Sequence, residues 1–245
     1  MKAAGTTPDG VQGEEQVARW VRDMFSQVAG RYDQLNHLLS FQLDRYWRFR
    51  TAQRVQQVLQ RPDARVLDLC CGTGDLLVEL EKRAGRPLMG SDFCHPMLLG
   101  ARTKIDARRL RSLLFEADAL RLPLADQSLD LLTVAFGVRN FANYRKGFEE
   151  MKRVLKPGGL AAILEFSQPR TPIFASLYAF YSRRVLPAVG GWISGSRSAY
   201  VYLPDSVRKF PDAEQLAMLL RECGFREVEF ERLTFGIVAL HLATA

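Results

Sequence analysis

The chain has few cysteines, and their spacing argues against a structural zinc site and against a disulfide framework. Only 4 occur in 245 residues, at positions 70, 71, 94 and 223. None of these intervals matches the ligand spacing of a structural zinc site. Cys70 and Cys71 are adjacent, which makes a disulfide framework improbable. We therefore predict no metal site and a reducing, cytoplasmic compartment.

Long uncharged apolar runs are also lacking. A membrane-spanning helix needs about 20 such residues, and the best candidate, residues 171–196, is interrupted by Arg183 and Arg184. The N-terminus, Met-Lys-Ala-Ala-Gly-Thr-Thr-Pro, has no apolar segment of the kind found in signal peptides. No block of five or more basic residues occurs, although the net charge is +7. Such scattered charge favours a solvated surface over a nucleic-acid site.

Hydrophobic periodicity predicts one α/β domain, residues 14–245, behind a disordered tail at residues 1–13. Residues 14–60 carry apolar side chains at helical spacing and are predicted to form a helical lid. Strands and helices then alternate, which predicts a doubly wound, mostly parallel sheet of seven strands. Residues 168–210, rich in aromatics, proline and glycine, interrupt the alternation as a cap insertion before the last helix.

The predicted elements can be given by residue number. Strands are predicted at residues 65–69, 88–91, 113–117, 129–135, 160–166, 226–233 and 236–244, and helices at residues 75–84, 95–105, 143–155 and 212–223. Lys156-Pro157-Gly158-Gly159 predicts a sharp helix stop before the fifth strand. The last two strands are predicted to form an antiparallel hairpin at the sheet edge.

A glycine loop follows the first predicted strand. Residues 66–75 read Val-Leu-Asp-Leu-Cys-Cys-Gly-Thr-Gly-Asp, an apolar strand that enters a glycine turn before a helix. Glycines in such a turn let the backbone approach a ligand closely. A dinucleotide fingerprint would need a further glycine at position 77, which is Leu77. The loop therefore favours S-adenosylmethionine over NAD.

Polar residues also follow the next two strands. Asp92 can accept hydrogen bonds from both ribose hydroxyls, and Asp118 can accept one from the adenine amino group. Asp68, at the end of the first strand, either orients the loop or contacts the methionine amine. The predicted cofactor-binding residues are Asp68, Gly72, Thr73, Gly74, Asp92, Phe93, Asp118 and Ala119.

Motifs outside the glycine loop resemble one family. They are Tyr32-Asp33-x-x-Asn36, Phe136-Gly137-Val138-Arg139-Asn140, Ala199-Tyr200-Val201-Tyr202-Leu203 and Gly236-Ile237-Val238-Ala239-Leu240-His241. With them, residues 24–244 resemble the quinone-biosynthesis C-methyltransferases, class I enzymes with a Rossmann-like sheet that use S-adenosylmethionine. The resemblance implies methylation of the ring of demethylmenaquinol in menaquinone biosynthesis, or of the benzoquinol precursor of ubiquinone.

The chemistry of such a methylation suggests roles for four residues. A ring carbon ortho to a phenol becomes nucleophilic when the phenol loses its proton, and it must face the sulfonium methyl. Arg139 stays protonated, so we predict that it stabilises the phenolate or positions a water, which Asn140 would align. Tyr32 either completes the pocket or caps the lid helix. His241 is a candidate proton acceptor, or a structural strand histidine.

The predicted partners follow from the acceptor. A prenylated quinol implies contact with the inner face of the membrane, and residues 173–193 combine aromatic side chains with Arg183 and Arg184. We also predict a homodimer and no nucleic-acid partner.

Two other functions stay open. An RNA methyltransferase would suit the positive charge, but the chain lacks an Asn-Pro-Pro-aromatic turn or a cysteine nucleophile after the fourth strand. A non-catalytic, S-adenosylmethionine-binding subunit of a quinone-synthesis assembly would keep the same cofactor residues.

Overall fold

The computed structural model describes residues 5–8, 10–169 and 197–245. Among these residues, seven strands form one sheet in the order β3-β2-β1-β4-β5-β7-β6. The strands are β1 (Val66–Leu69), β2 (Met89–Asp92), β3 (Leu113–Glu116), β4 (Leu129–Ala135), β5 (Leu155–Phe166), β6 (Val228–Leu233) and β7 (Val238–Thr244). The predicted doubly wound, mostly parallel sheet is confirmed.

Helices flank the sheet. In the described part of the chain they are α1 (Glu14–Val28), α2 (Tyr32–Leu39), α3 (Leu43–Arg54), α4 (Gln56–Leu59), α5 (Asp75–Ala84), α6 (His95–Ala107), α7 (Tyr144–Val154), α8 (Arg197–Lys209) and α9 (Ala213–Glu222). None of these helices is long and apolar enough to cross a membrane. The remainder of the predicted cap, residues 170–196, lies outside the described residues.

The chain reverses direction across the sheet at β1. This strand pairs in parallel with β2 on one side and with β4 on the other. All four of its residues are buried, since helices cover both faces of the sheet. In open α/β sheets, ligands bind beyond the carboxyl ends of the strands at such a reversal. The topology therefore predicts a ligand site at the loops that follow β1, β2 and β4.

The closing hairpin is also confirmed, with β7 antiparallel to both β5 and β6. The largest error in a predicted strand boundary is at β5. β5 begins at Leu155, directly after α7, so Lys156-Pro157-Gly158-Gly159 lies within the strand. The pairing of β4 with β5 shifts register between Leu129 and Leu131, and this irregularity accommodates the proline and the two glycines.

The predicted lid divides into two parts. Side chains of α1 and α2 line the cavity described below. By contrast, Trp47 of α3 is buried against Phe136 and Phe166, with ring centroids 5.8 Å and 6.4 Å away. In the tail that was predicted to be disordered, Thr6 is buried and its N–H donates to the carbonyl of Phe141 at 2.8 Å.

Candidate active site

A cavity of about 440 Å³ lies beyond the carboxyl ends of β1, β2 and β4. Its floor is formed by strand-end residues and its cover by helices α1 and α2. The predicted site residues in its lining are Tyr32, Gly72, Asp92, Phe93, Asp118, Ala119 and Asn140. The strand reversal thus brings together residues that are up to 108 positions apart in the sequence, from Tyr32 to Asn140.

Asp92 is held at the cavity wall by the backbone. Its Oδ2 accepts from the N–H of Gly72 at 2.9 Å, and its Oδ1 accepts from the N–H of Cys94 at 2.9 Å. Burial raises the pKa of Asp92 to about 6, and the backbone N–H groups oppose that rise. The carboxylate therefore joins the loops after β1 and β2 and keeps acceptor capacity for a ligand hydroxyl.

Two glycines allow the close packing of these loops. Gly74 precedes α5 with φ +82, a left-handed conformation in which a side chain is strained. At Gly137, in the loop after β4, an added Cβ would lie 2.5 Å from the Cβ of Cys70. Only glycine lets the β4 loop approach the β1 loop so closely.

Asp68 lines a smaller recess beside the main cavity, together with Arg48, Thr73 and Asp75. Its Oδ1 accepts from the hydroxyl of Thr133 at 2.7 Å, whereas its buried Oδ2 has no hydrogen-bond partner. Burial raises the pKa of Asp68 to about 7. A buried acceptor without a partner is costly, so this oxygen suits a donor such as a ligand ammonium.

The loop after β3 contributes Asp118 and Ala119 to the cavity lining. Asp118 is exposed, and its Oδ1 accepts from the N–H of Leu120 at 2.9 Å. Ala119 is buried in the cavity wall. Phe93, after β2, lies with its ring 5.4 Å from the guanidinium carbon of Arg22 on α1.

An ion-pair network joins the lid to the cofactor loop. Lys104 of α6 has its Nζ 2.7 Å from a carboxylate oxygen of Asp33 and 3.2 Å from the hydroxyl oxygen of Thr73. It also pairs with Asp75 at the start of α5. Asp33 in turn accepts from the Thr73 hydroxyl. One ammonium group therefore contacts the lid, the loop and the first turn of α5.

The network continues through His37 and Asp44, whose Nδ1 and Oδ2 are 2.7 Å apart. With Asp75, these residues offer ligand atoms that all lie within 4.8 Å of one another. However, Arg48 pairs with Asp44 and lies 3.6 Å from Asp75. The two carboxylates already have cationic partners in Arg48 and Lys104, so we assign the group as a salt-bridge cluster.

We expect Lys104→Met to lower the affinity for S-adenosylmethionine by about tenfold, because charge-assisted hydrogen bonds contribute about 1.5–3 kcal/mol each. The change leaves Asp33 and Asp75 without their shared cation and loosens the loop at Thr73. Titration calorimetry measures the effect. Lys82→Met, at an exposed position of α5, is the matched control. Equal affinity in both variants would remove any role of this network in cofactor binding.

Arg139 lies behind the cavity wall. It is 5% exposed, its Nη1 is 3.1 Å from Oε1 of Glu165, and it also donates to the carbonyl of Phe136. The cavity lining includes Asn140 and Tyr32 but not Arg139. Its guanidinium pairs with Glu165, and its predicted role, stabilising the phenolate or positioning a water, stays a prediction.

Asn140 is oriented by its neighbours. Its Oδ1 accepts from the hydroxyl of Tyr202 at 3.0 Å, and that hydroxyl is also bonded to the hydroxyl of Thr6 at 2.8 Å. Tyr32 lines the same cavity; burial raises its pKa, and the nearby Arg139 opposes that rise. Both side chains stay uncharged at neutral pH and can hydrogen bond to a ring oxygen.

His241 lies away from this group. On β7 it is 1% exposed, and its Nε2 is 2.8 Å from the carbonyl oxygen of Ala213, to which it donates. Burial lowers its pKa to about 4. Its ring packs on Phe230, and it does not line the cavity. The geometry supports the structural reading of this histidine, not a role as proton acceptor.

Two residues that the sequence did not single out belong to the site's framework. Glu165 is 1% exposed and is the partner of Arg139. The sequence did offer a signal for Glu165. An acid within an apolar strand is expected to be buried, and a buried carboxylate almost always has a partner. Lys104 had no such signal, since a lysine on a helix is ordinarily solvated.

Comparison with known proteins adds to this geometry. The model of the ubiE/COQ5 methyltransferase family matches residues 11–245. The chain therefore belongs to the ubiE/COQ5 methyltransferase family. This membership confirms the resemblance and makes the protein an S-adenosylmethionine-dependent C-methyltransferase.

Individual relatives match over most of their length. A demethylmenaquinone methyltransferase of Thermus thermophilus is 49% identical over 220 residues, which cover 89% of this chain and 98% of that protein. A ubiquinone/menaquinone biosynthesis C-methyltransferase of Geobacter sulfurreducens is 43% identical, with 90% and 86% covered. A solved S-adenosylmethionine-dependent methyltransferase of Thermotoga maritima is 18% identical with TM-score 0.59, covering 91% of this chain and 98% of that chain, and shows the shared fold.

Proposed function

We propose that this enzyme methylates a ring carbon of demethylmenaquinol, with the benzoquinol precursor of ubiquinone as a second acceptor. The relatives named for demethylmenaquinone support the ring. The observation that carries the proposal is the composition of the cavity, in which the Asp92 carboxylate shares one space with Phe25, Tyr32 and Phe136. A polar cofactor and an aromatic acceptor can meet there.

The residues at the strand ends fit S-adenosylmethionine. Asp92 offers a carboxylate to the ribose, and the partnerless Oδ2 of Asp68 offers an acceptor to the amino-acid ammonium. Gly72 and Gly74 keep side chains out of the intervening loop. S-adenosylmethionine, when bound, supplies an electrophilic methyl group on its sulfonium.

The remaining residues act on the acceptor by position. Tyr32 and Asn140 line the cavity and can hydrogen bond to the ring oxygen that loses its proton. Arg139 lies behind them and is paired with Glu165, yet its charge still opposes the rise in the pKa of Tyr32, and the same field would favour the phenolate. Helix α1 covers the cavity with Phe25 beside Arg22, and this cover would shield the aligned reactants from bulk water.

We also propose a cytoplasmic protein that meets its acceptor at the inner face of the membrane, acts as a homodimer and binds no nucleic acid. A prenylated quinol is too apolar to leave the bilayer freely, so the enzyme must approach the surface. The segment that we predicted for this contact, with Arg183 and Arg184, lies outside the described residues.

The test is methyl transfer by purified protein from labelled S-adenosylmethionine to demethylmenaquinol, followed by mass spectrometry. We expect one added methyl on the ring and no label in RNA. In cells that lack the protein, demethylmenaquinone should accumulate. Transfer to RNA, or cofactor binding without transfer to any quinol, would contradict the proposal.

A further inference from the structure

Helix α3 buries Trp47 and Ala52 in the core, but it also exposes large apolar side chains. Its buried side chains include Asp44, Arg48 and Thr51. Its exposed side chains include Leu43, Tyr46 and Phe49, which are 37%, 50% and 47% exposed. Asp44 and Arg48 belong to the salt-bridge cluster at Asp75, and the hydroxyl of Thr51 donates to the carbonyl of Trp47 at 3.0 Å. Of the exposed apolar residues, Phe49 packs against the guanidinium of Arg83, whose central carbon is 4.5 Å from the ring centroid. For Leu43 and Tyr46 the described part of the chain shows no such contact, and folding alone would favour polar residues there.

The turn from α2 to α3 extends this apolar surface. Leu38 is 51% exposed and Phe41 is 73% exposed. Phe41 and Gln42 have φ values of +52 and +65, a conformation that is disfavoured for residues other than glycine. A strained turn thus presents an aromatic ring to solvent. We call the exposed residues Leu38, Phe41, Leu43, Tyr46 and Phe49 the elbow patch.

Arg50 and Arg54 pair with Glu231 and Glu229 of β6, so among the described residues Arg45 is the arginine of α3 that keeps an unneutralised charge beside the elbow patch. Between residues 34 and 60 the chain has four arginines and a single acid, Asp44. That acid is buried and pairs with Arg48. Arg45 is exposed between Leu43 and Tyr46 and has no carboxylate partner among the described residues. An apolar surface with an unneutralised arginine is complementary to an anionic, amphipathic partner.

We propose that the elbow patch docks the enzyme on an anionic lipid bilayer. Aromatic and leucine side chains with basic neighbours are typical of helices that lie in the membrane interface. The inference rests on the proposed function, which places the acceptor's tail in a bilayer. Helix α2 links the two sites, since it begins at the cavity residue Tyr32 and ends beside the patch, ~12 Å along its axis.

Vesicle flotation tests the surface. The probes are phosphatidylcholine vesicles with and without phosphatidylglycerol, and the variants are Phe41→Asn with Tyr46→Ser, and Arg45→Gln. Asparagine tolerates the left-handed conformation at position 41. Leu113→Ser with Met218→Ser is the matched control, because these side chains are 64% and 58% exposed elsewhere. We expect the aromatic double variant to lose at least tenfold in anionic-vesicle recovery, Arg45→Gln to lose recovery on anionic vesicles alone, and the control to match the native protein.

Two acceptors separate this inference from the proposed function. We expect the elbow variants to methylate a one-isoprene demethylmenaquinol in solution at the native rate, and a long-chain one in vesicles at least tenfold more slowly. If the native protein methylated neither acceptor, the proposed function would be contradicted. The flotation result would still test the docking surface independently. Unchanged flotation of both elbow variants would overturn the docking surface. So would light scattering that showed these variants abolishing a native dimer, because the patch would then bind a second copy.

Discussion

Replacing Asp92 with alanine is expected to lower the affinity for S-adenosylmethionine at least tenfold while the protein stays folded. Two ribose hydrogen bonds to a carboxylate would be lost, each worth about 1.5–3 kcal/mol. The change also releases the N–H groups of Gly72 and Cys94, which the carboxylate now holds. Titration calorimetry measures the affinity, and circular dichroism checks the fold.

Asp106→Ala, at an exposed position of α6, is the control and should bind the cofactor as the native protein does. The acidic limb of the pH profile gives a second check on Asp92. Its pKa of about 6 means that affinity should fall as the pH drops below about 6, since a protonated carboxyl accepts less well. Native affinity in Asp92→Ala would exclude this residue from the cofactor site.

Without cofactor, the raised pKa of Asp92 gives the stability of the fold the opposite pH dependence: stability falls as the pH rises. Because burial raises the pKa of Asp92 above the unfolded value of 3.8, the folded state binds the proton more tightly. This stabilisation is full below about pH 4 and is lost as the pH rises through about 6. Saturating cofactor should offset the loss, because binding favours the ionised carboxylate.

Replacing Glu165 with alanine is expected to destabilise the protein by about 3–5 kcal/mol, the usual cost of leaving one member of a buried ion pair alone. Arg139 would keep its charge at 5% exposure with the carbonyl of Phe136 as its remaining acceptor. Urea denaturation measures the free energy of unfolding. A variant as stable as the native protein would show that the pair is not needed for folding.

Paired substitutions separate folding from turnover. Arg139→Ala should also be unstable and should lower kcat by about a hundredfold, as expected when one stabilising charge is removed. Arg139→Met combined with Glu165→Leu removes both charges, so stability should largely return while kcat stays low. If the double variant recovered native turnover, Arg139 would have only a structural role.

Local chemistry made most of the fold predictable. The glycine loop at residues 70–74, the acid at Asp92 and the alternation of strands with helices depend on neighbouring residues and on a period of two or 3.6. The fifth strand was the exception. Lys156-Pro157-Gly158-Gly159 has the local preference of a helix stop, but the pairing of Leu155 with Leu129 of β4 starts the strand at Leu155.

The site was less predictable, because its contacts join distant segments. His241 has a residue type suited to proton transfer, yet β7 places it against Ala213 and lowers its pKa to about 4. Arg139 follows β4 as predicted, but its guanidinium forms an ion pair with Glu165 on the neighbouring strand β5. Residue type and spacing carry no information about which side chain lies across a strand or beneath a lid.

The sequence by itself therefore determined the family, the cofactor and the strand ends that carry Asp92 and Asp118, since those depend on short motifs. The tertiary structure decided which residues face the cavity, how Lys104 joins the lid to the glycine loop, and that α3 exposes Tyr46 and Phe49. These features come from packing between elements far apart in the chain. Burial and charge pairing are properties of the folded surroundings.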